Sequence, residues 1–111
     1  MLVVEDDPSL RLLCRVNLEL EQFDVREAAT AEAARSAVRE RRPDVVLLDV
    51  HLGDTASDSL LEELRASGIP VVVVTGSADI EQYRELASDV LGKPFEPSDL
   101  VAAAKRHSVV G

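Results

Sequence analysis

Five polar residues of this chain have the chemical types that bind a divalent cation and an anionic group, and each lies at or just past the end of an apolar run. Three are acidic, namely Glu5, Asp6 and Asp49, and the other two are Thr75 and Lys93. Two carboxylates 4 Å apart repel each other by about 4 kcal/mol at an effective dielectric of about 20. A divalent cation relieves that repulsion, so converging carboxylates predict a metal site.

The donor set of this predicted site favours a hard cation. The ligands are oxygens without a cluster of histidine and cysteine, and Mg²⁺ accepts few protein ligands and keeps waters that a phosphate can displace. Asp7 has an alternative role as the cap of the helix that follows it. That alternative does not explain Asp49, which ends the apolar run Val45-Val46-Leu47-Leu48.

The elements that must position these residues alternate along the chain. Apolar runs predict five strands, at Leu2–Val4, Val25–Ala28, Val45–Val50, Val71–Thr75 and Val90–Leu91. Apolar residues at helical spacing predict five helices, at Ser9–Glu21, Thr30–Arg41, Leu60–Ala66, Asp79–Leu86 and Pro97–His107. Thr30 is the predicted N-cap of the second helix, and Ser67-Gly68 end the third.

This alternation is typical of a parallel sheet that crossover helices cover on both faces. Five strand–helix units favour an open doubly wound α/β sheet over a barrel, which needs eight units and about 200 residues or more. Ligands of such sheets bind at the carboxyl ends of the strands. The five polar residues are therefore expected at one edge of the sheet.

Size, charge and cysteine content limit the class of protein. The 111 residues are expected to form a single domain, 1–111, with no output domain. A net charge of −9 with 12 dispersed basic residues argues against direct binding of nucleic acid. The single cysteine, Cys14, allows no internal disulfide and is expected in the core. With no signal peptide or long apolar span, we expect a cytoplasmic protein that does not bind membranes.

Four motifs in this order resemble the receiver domain of bacterial response regulators, the CheY-like switch of two-component signalling. They are Val3-Val4-Glu5-Asp6-Asp7, Asp44-Val45-Val46-Leu47-Leu48-Asp49, Val73-Val74-Thr75-Gly76 and Gly92-Lys93-Pro94-Phe95. Each motif is weak alone, but the four together are specific and cover essentially the whole chain. The resemblance implies a flavodoxin-like fold, with a five-stranded parallel sheet in the order 2-1-3-4-5 and five helices.

The resemblance also implies a phosphorelay mechanism. Asp49 would accept a phosphoryl group from a phosphohistidine of a sensor histidine kinase or a phosphotransfer protein. Glu5, Asp6 and Asp49 would hold Mg²⁺, and the backbone carbonyl of His51 would add a further ligand. The chain would be a signalling domain that catalyses its own phosphorylation and dephosphorylation, rather than an enzyme with a separate substrate.

The implied output is a change of surface. Lys93 would pair with the phosphoryl group, and Thr75 would hydrogen-bond to it and move. The altered surface would bind a downstream protein target, or the chain would drain phosphoryl groups from a relay as a phosphate sink. We expect a monomer or a weak dimer.

The chain departs from the family pattern at several positions. Val90 stands where the family usually has an aromatic residue, and Tyr83 is expected to be a packing or surface residue rather than its replacement. The loop at 52–59 lacks the usual Met-Pro and Asp-Gly pairs. His51 and Ser77 occupy positions that in the family tend to set how fast water removes the phosphoryl group.

Two other functions remain open at this point. A phosphorylation-independent, receiver-like interaction module would keep the fold without the switch; the five intact polar residues argue against it, and Val90 argues weakly for it. A Mg²⁺-dependent phosphohydrolase usually has a second acid two residues after its nucleophile, where this chain has His51.

Overall fold

A computed structural model describes residues 1–50, 56–76 and 80–108. Within these residues one sheet contains the strands β1 Leu2–Val4, β2 Arg26–Ala28, β3 Val46–Asp49, β4 Val71–Gly76 and β5 Asp89–Lys93. The helices are α1 Pro8–Leu20, α2 Ala31–Glu40, α3 Ala56–Ala66, α4 Ile80–Tyr83 and α5 Pro97–His107. The predicted alternation of strands and helices is confirmed.

The sheet is parallel throughout, and its strand order is β2-β1-β3-β4-β5. In its register Val4 pairs with Leu48, the neighbour of Asp49, and Gly76 pairs with Lys93. The carboxyl ends of β1, β3, β4 and β5 therefore lie side by side at one edge. The doubly wound sheet and the order 2-1-3-4-5 are confirmed.

Two apolar layers cover the sheet. Val4 and Leu48 belong to the layer that α2, α3 and α4 cover, whereas Val3 and Leu47 belong to the layer that α1 and α5 cover. Burial on both faces explains why the strands are continuously apolar. Cys14 is buried in the α1 and α5 layer, as predicted, and burial raises the pKa of its thiol to about 11.

Helix ends follow local side-chain chemistry. Asp7 Oδ1 accepts a hydrogen bond from the Ser9 N–H at 2.9 Å, so its role as a cap is confirmed. Thr30 Oγ1 accepts one from the Ala33 N–H at 3.0 Å, again as predicted. Gly68 follows α3 with a φ of 74°, a left-handed conformation that glycine adopts without steric cost.

Two helices differ from their predicted bounds by more than one residue at an end. α3 begins earlier than the predicted Leu60, because the buried Ser57 hydroxyl donates a hydrogen bond to the Val50 carbonyl at 2.7 Å and anchors an extra turn. α4 ends at Tyr83 instead of Leu86, because the Leu86 N–H turns back to the Tyr83 carbonyl at 3.1 Å. Both differences depend on contacts that helical periodicity does not reveal.

α1 carries an exposed apolar stripe on its outer side. Its members are between 45% and 70% exposed: Leu12, Leu13, Val16 and Leu20. Contiguous exposed apolar side chains often mark a surface that contacts another protein. None of the described helices is both long and apolar enough to cross a lipid bilayer.

Leu48→Ala is expected to lower the free energy of unfolding by about 2–5 kcal/mol, because it leaves a cavity in a fully buried layer. Urea denaturation measures this loss. Leu12→Ala is the matched control, since Leu12 is 58% exposed, and it should change stability by less than about 0.5 kcal/mol. Equal losses in the two variants would contradict the assignment of Leu48 to the core.

Candidate functional site

Polar side chains from β1, β3 and β5 meet at the carboxyl edge of the sheet. Glu5, which follows β1, is 4% exposed, and Asp49, the last residue of β3, is 3% exposed. Lys93 Nζ lies 2.9 Å from Asp49 Oδ2 and 3.7 Å from Glu5 Oε1. The Lys93–Pro94 peptide bond is cis. The Lys93 ammonium therefore contacts two buried carboxylates.

A third carboxylate completes an acidic cluster. Glu5, Asp6 and Asp49 each present an oxygen, and the three oxygens lie within 4.8 Å of one another. Asp6 is exposed, so the cluster opens to solvent. The single ammonium of Lys93 leaves the cluster with excess negative charge when all three carboxylates are ionised. An oxygen-only donor set with this charge fits a hard divalent cation such as Mg²⁺.

The pKa values reflect this crowding. Burial, followed by the hydrogen bond and the negative charge of Asp49, raises the pKa of Glu5 to about 8, although Lys93 opposes the shift. Burial lowers the pKa of Lys93, but the hydrogen bond and charge of Asp49 outweigh burial and raise the pKa overall. The metal-free site thus keeps its ammonium charged and one carboxyl protonated near neutral pH.

The metal-free protein is expected to lose stability through Glu5 as the pH rises from about 5 to about 8. The pKa of Glu5 is about 8 in the folded protein against an ordinary 4.5, so between these values the folded state binds more protons and stability falls with pH. Mg²⁺ should reduce the fall because it favours ionised carboxylates.

Urea denaturation across this pH range, with and without Mg²⁺, measures the effect. Glu5→Gln is the control, since it cannot titrate at this position. If the wild type and Glu5→Gln have the same pH dependence without Mg²⁺, the expectation is wrong.

Thr75 lies in β4, between the strands that carry the carboxylate and the ammonium. It is fully buried. Val74, the residue before it, pairs with Asp49, and Gly76, the residue after it, pairs with Lys93. The register thus places a hydroxyl residue beside both charged groups at the carboxyl edge.

The residues expected at this edge divide into two groups. The structure brings together Glu5, Asp6, Asp49 and Lys93, with Thr75 on the intervening strand. His51, expected to offer its backbone carbonyl to the metal, lies outside the described residues, as does Ser77.

Sequence reasoning missed the hydrogen bond that Tyr83 makes. Tyr83 is buried, so its packing role is confirmed, but its hydroxyl also donates a hydrogen bond to Asp58 Oδ1 at 3.0 Å. The two residues lie on different helices and 25 positions apart. No local spacing signals such a pair.

The fold and this acidic edge define a class of protein, and comparison with known families identifies it. Residues 1–105 match the family described as the response regulator receiver domain. The chain belongs to this family.

The chain is similar to several characterised regulators. The DNA-binding response regulator MtrA of Mycolicibacterium smegmatis is 39% identical over 110 residues, which cover 95% of this chain and 48% of that protein. The phosphate regulon transcriptional regulatory protein PhoB of Pseudomonas aeruginosa is 30% identical over 113 residues, covering 95% of this chain and 49% of PhoB. The chain thus spans about half the length of these relatives.

Solved structures agree with the fold. The receiver domain of NtrX from Brucella abortus superposes with a TM-score of 0.89 at 30% identity, covering 99% of this chain and 98% of that one. The chemotaxis protein CheY4 of Vibrio cholerae superposes with a TM-score of 0.83, covering 96% of this chain and 95% of that one. At 23% identity, CheY4 supports the fold alone.

Proposed function

We propose that this chain is the phosphoacceptor switch of a two-component phosphorelay, with Asp49 as the residue that is phosphorylated. The observation that carries the proposal is the buried Asp49 carboxylate, with Lys93 Nζ at 2.9 Å and oxygens of Glu5 and Asp6 within 4.8 Å. In this proposal Asp49 is the nucleophile, Lys93 is the fixed cation, and Glu5 and Asp6 are metal ligands together with Asp49.

The proposed reaction is a direct phosphoryl transfer. A carboxylate oxygen of Asp49 forms a bond to phosphorus while the P–N bond of a phosphohistidine breaks, and the electron pair of that bond stays on the imidazole. Lys93 pairs with the oxygens of the transferred group. Bound Mg²⁺, held by Glu5, Asp6 and Asp49, would supply positive charge that offsets the negative charge on these oxygens.

The proposed output is a change in protein–protein contacts. A phosphoryl group adds about −1.5 to −2 charges and three acceptor oxygens, to which Thr75 can donate a hydrogen bond. To move the population of the active arrangement from 1% to 99%, phosphorylation must favour that arrangement over the resting one by about 5.5 kcal/mol. Several charge-assisted hydrogen bonds together reach this value. A chain without a partner for this surface would act as a phosphate sink.

The proposed partners are proteins. The donor is a sensor histidine kinase or a phosphotransfer protein, and the exposed apolar stripe of α1 offers a surface for protein contact. MtrA is named as a DNA-binding regulator and is about twice as long as this chain. For residues 1–111 we expect no direct binding of nucleic acid because their net charge is −9. We expect the exchange to occur in the cytoplasm, on a monomer or weak dimer.

Acetyl phosphate with Mg²⁺ tests the proposal without a cognate kinase. Intact-protein mass spectrometry should detect one added phosphoryl group that hydroxylamine removes, as it does an acyl phosphate. Failure of both acetyl phosphate and beryllofluoride to modify or bind the protein would contradict the proposal. Sustained turnover of a small phosphate ester, in place of a single stoichiometric modification, would favour a phosphohydrolase instead.

A further inference from the structure

Tyr83 makes a contact that the proposed phosphoryl transfer does not use. Its side chain is 6% exposed and belongs to the layer formed by α2, α3 and α4. Its hydroxyl donates a hydrogen bond at 3.0 Å to Asp58 Oδ1, in the first turn of α3. A buried tyrosine hydroxyl requires a partner, and a carboxylate is a stronger acceptor than a neutral group. The bond therefore joins α4 to the start of α3.

The start of α3 is itself joined to the phosphoacceptor strand. Ser57, the neighbour of Asp58, is buried and donates a hydrogen bond to the Val50 carbonyl at 2.7 Å. Val50 directly follows Asp49 and donates its own N–H to the Val74 carbonyl at 3.3 Å. A displacement at the carboxyl end of β3 is therefore passed to Ser57 and Asp58.

On its other side, α4 is held against β5. The Tyr83 carbonyl accepts hydrogen bonds from the N–H groups of Leu86 at 3.1 Å and Ala87 at 3.0 Å, just before β5. The Ile80 side chain packs on Gly92 so closely that a Cβ atom there would lie 2.6 Å from Ile80 Cδ1. Gly92 immediately precedes the lysine of the site. α4 thus lies between the first turn of α3 and the end of β5.

We propose that Tyr83 is a positioning residue whose hydrogen bond to Asp58 holds α4 in the resting arrangement and so opposes phosphorylation of Asp49. The inference rests on the proposed function, in which Thr75 moves toward the phosphoryl group. Thr75 pairs with Gly92 of β5, and the Ile80 side chain of α4 packs on Gly92. A shift of Thr75 is therefore passed through Gly92 to α4 and separates the Tyr83 hydroxyl from Asp58.

Thermodynamic linkage gives this inference a measurable sign. A bond present in the resting arrangement and lost in the phosphorylated one makes phosphorylation less favourable. Tyr83→Phe removes only the hydroxyl, so it should tighten binding of the phosphoryl analogue beryllofluoride, in the presence of Mg²⁺, by about fivefold or more. Titration followed by ¹⁹F NMR of the bound analogue measures this affinity. A hydroxyl that served only stability would not tighten binding when removed.

Three further variants sharpen the test. Asp58→Ala should tighten beryllofluoride binding as Tyr83→Phe does, whereas Asp58→Asn keeps an acceptor oxygen and should stay close to the wild type. Arg84→Gln is the control, because Arg84 is next to Tyr83 in sequence but its side chain bonds Glu81 at 2.7 Å on the surface. It should leave the affinity unchanged.

Unchanged or weaker binding in Tyr83→Phe would overturn the inference, and so would equal tightening in Arg84→Gln. Amide hydrogen exchange at Leu86 and Ala87 gives a second readout, since loosening α4 should speed exchange in metal-free Tyr83→Phe. Exchange equal to that of the wild type would contradict the positioning role. Failure of the wild type itself to bind beryllofluoride would instead overturn the proposed function and the inference with it.

Discussion

Asp49→Asn is expected to abolish phosphorylation by acetyl phosphate, with no added phosphoryl group detectable by intact-protein mass spectrometry at a donor concentration that saturates the wild type. The carboxamide has the size of the carboxylate but lacks the negative charge that makes the oxygen a nucleophile.

Asp24→Asn is the matched control for this prediction. It makes the same chemical change at an exposed carboxylate whose contact is Arg41 at 2.8 Å, away from the site. Asp24→Asn should be phosphorylated as the wild type is. Continued stoichiometric phosphorylation of Asp49→Asn would show that another residue is the acceptor.

Loss of the fold should not explain the effect of Asp49→Asn. The substitution removes one negative charge beside Glu5 and leaves the Lys93 ammonium near the Glu5 carboxyl at 3.7 Å. Without Mg²⁺ the variant should therefore unfold at the same urea concentration as the wild type or a higher one. Circular dichroism during the titration checks this.

Removal of Mg²⁺ should have the next largest effect. With EDTA present, the rate of phosphorylation by acetyl phosphate is expected to fall by at least about 100-fold, since a bound cation contributes several kcal/mol of charge stabilisation. Without Mg²⁺, three carboxylate oxygens within 4.8 Å of one another would face the incoming phosphoryl oxygens. Among the described residues, Lys93 is the one cation that contacts these carboxylates.

Asp6 and Asp7 are adjacent in the sequence, but only Asp6 belongs to the acidic cluster, so their variants test which one binds Mg²⁺. Asp6→Asn removes a charged ligand and should raise the Mg²⁺ concentration for half-maximal rate by about tenfold or more. Asp7→Asn should not, because Asp7 lies outside the cluster and asparagine keeps the oxygen that caps α1. Equal Mg²⁺ requirements for the two variants would contradict the assignment of Asp6 as a ligand.

The acidic edge was predictable because of how parallel sheets are built. Strands buried on both faces are apolar throughout, so a carboxylate such as Asp49 at the end of one is conspicuous in the sequence. The crossover topology then places such ends together. β5 was harder to delimit: only Val90-Leu91 is apolar, whereas the strand runs from Asp89 to Lys93 because it pairs with β4 along that length.

Side-chain contacts between separate elements could not be predicted from the sequence. The early start of α3 depends on the bond from Ser57 to Val50, and the Tyr83 hydroxyl meets Asp58 on another helix. Periodicity describes which face of a helix is apolar, but it does not specify which distant polar atom a side chain will meet. Contacts of this kind require the folded arrangement.

The two layers of the fold also separate what can vary in evolution. Ser57, Asp58 and Tyr83 lie on helices of one face of the sheet, whereas the apolar stripe of α1 lies on the helix layer of the opposite face. On the proposed function, substitutions in the α1 stripe change a protein contact and leave the hydrogen bonds of Ser57 and Tyr83 on the other face intact. The choice of protein partner and the hydrogen bonds that hold α4 can therefore change independently of each other in evolution.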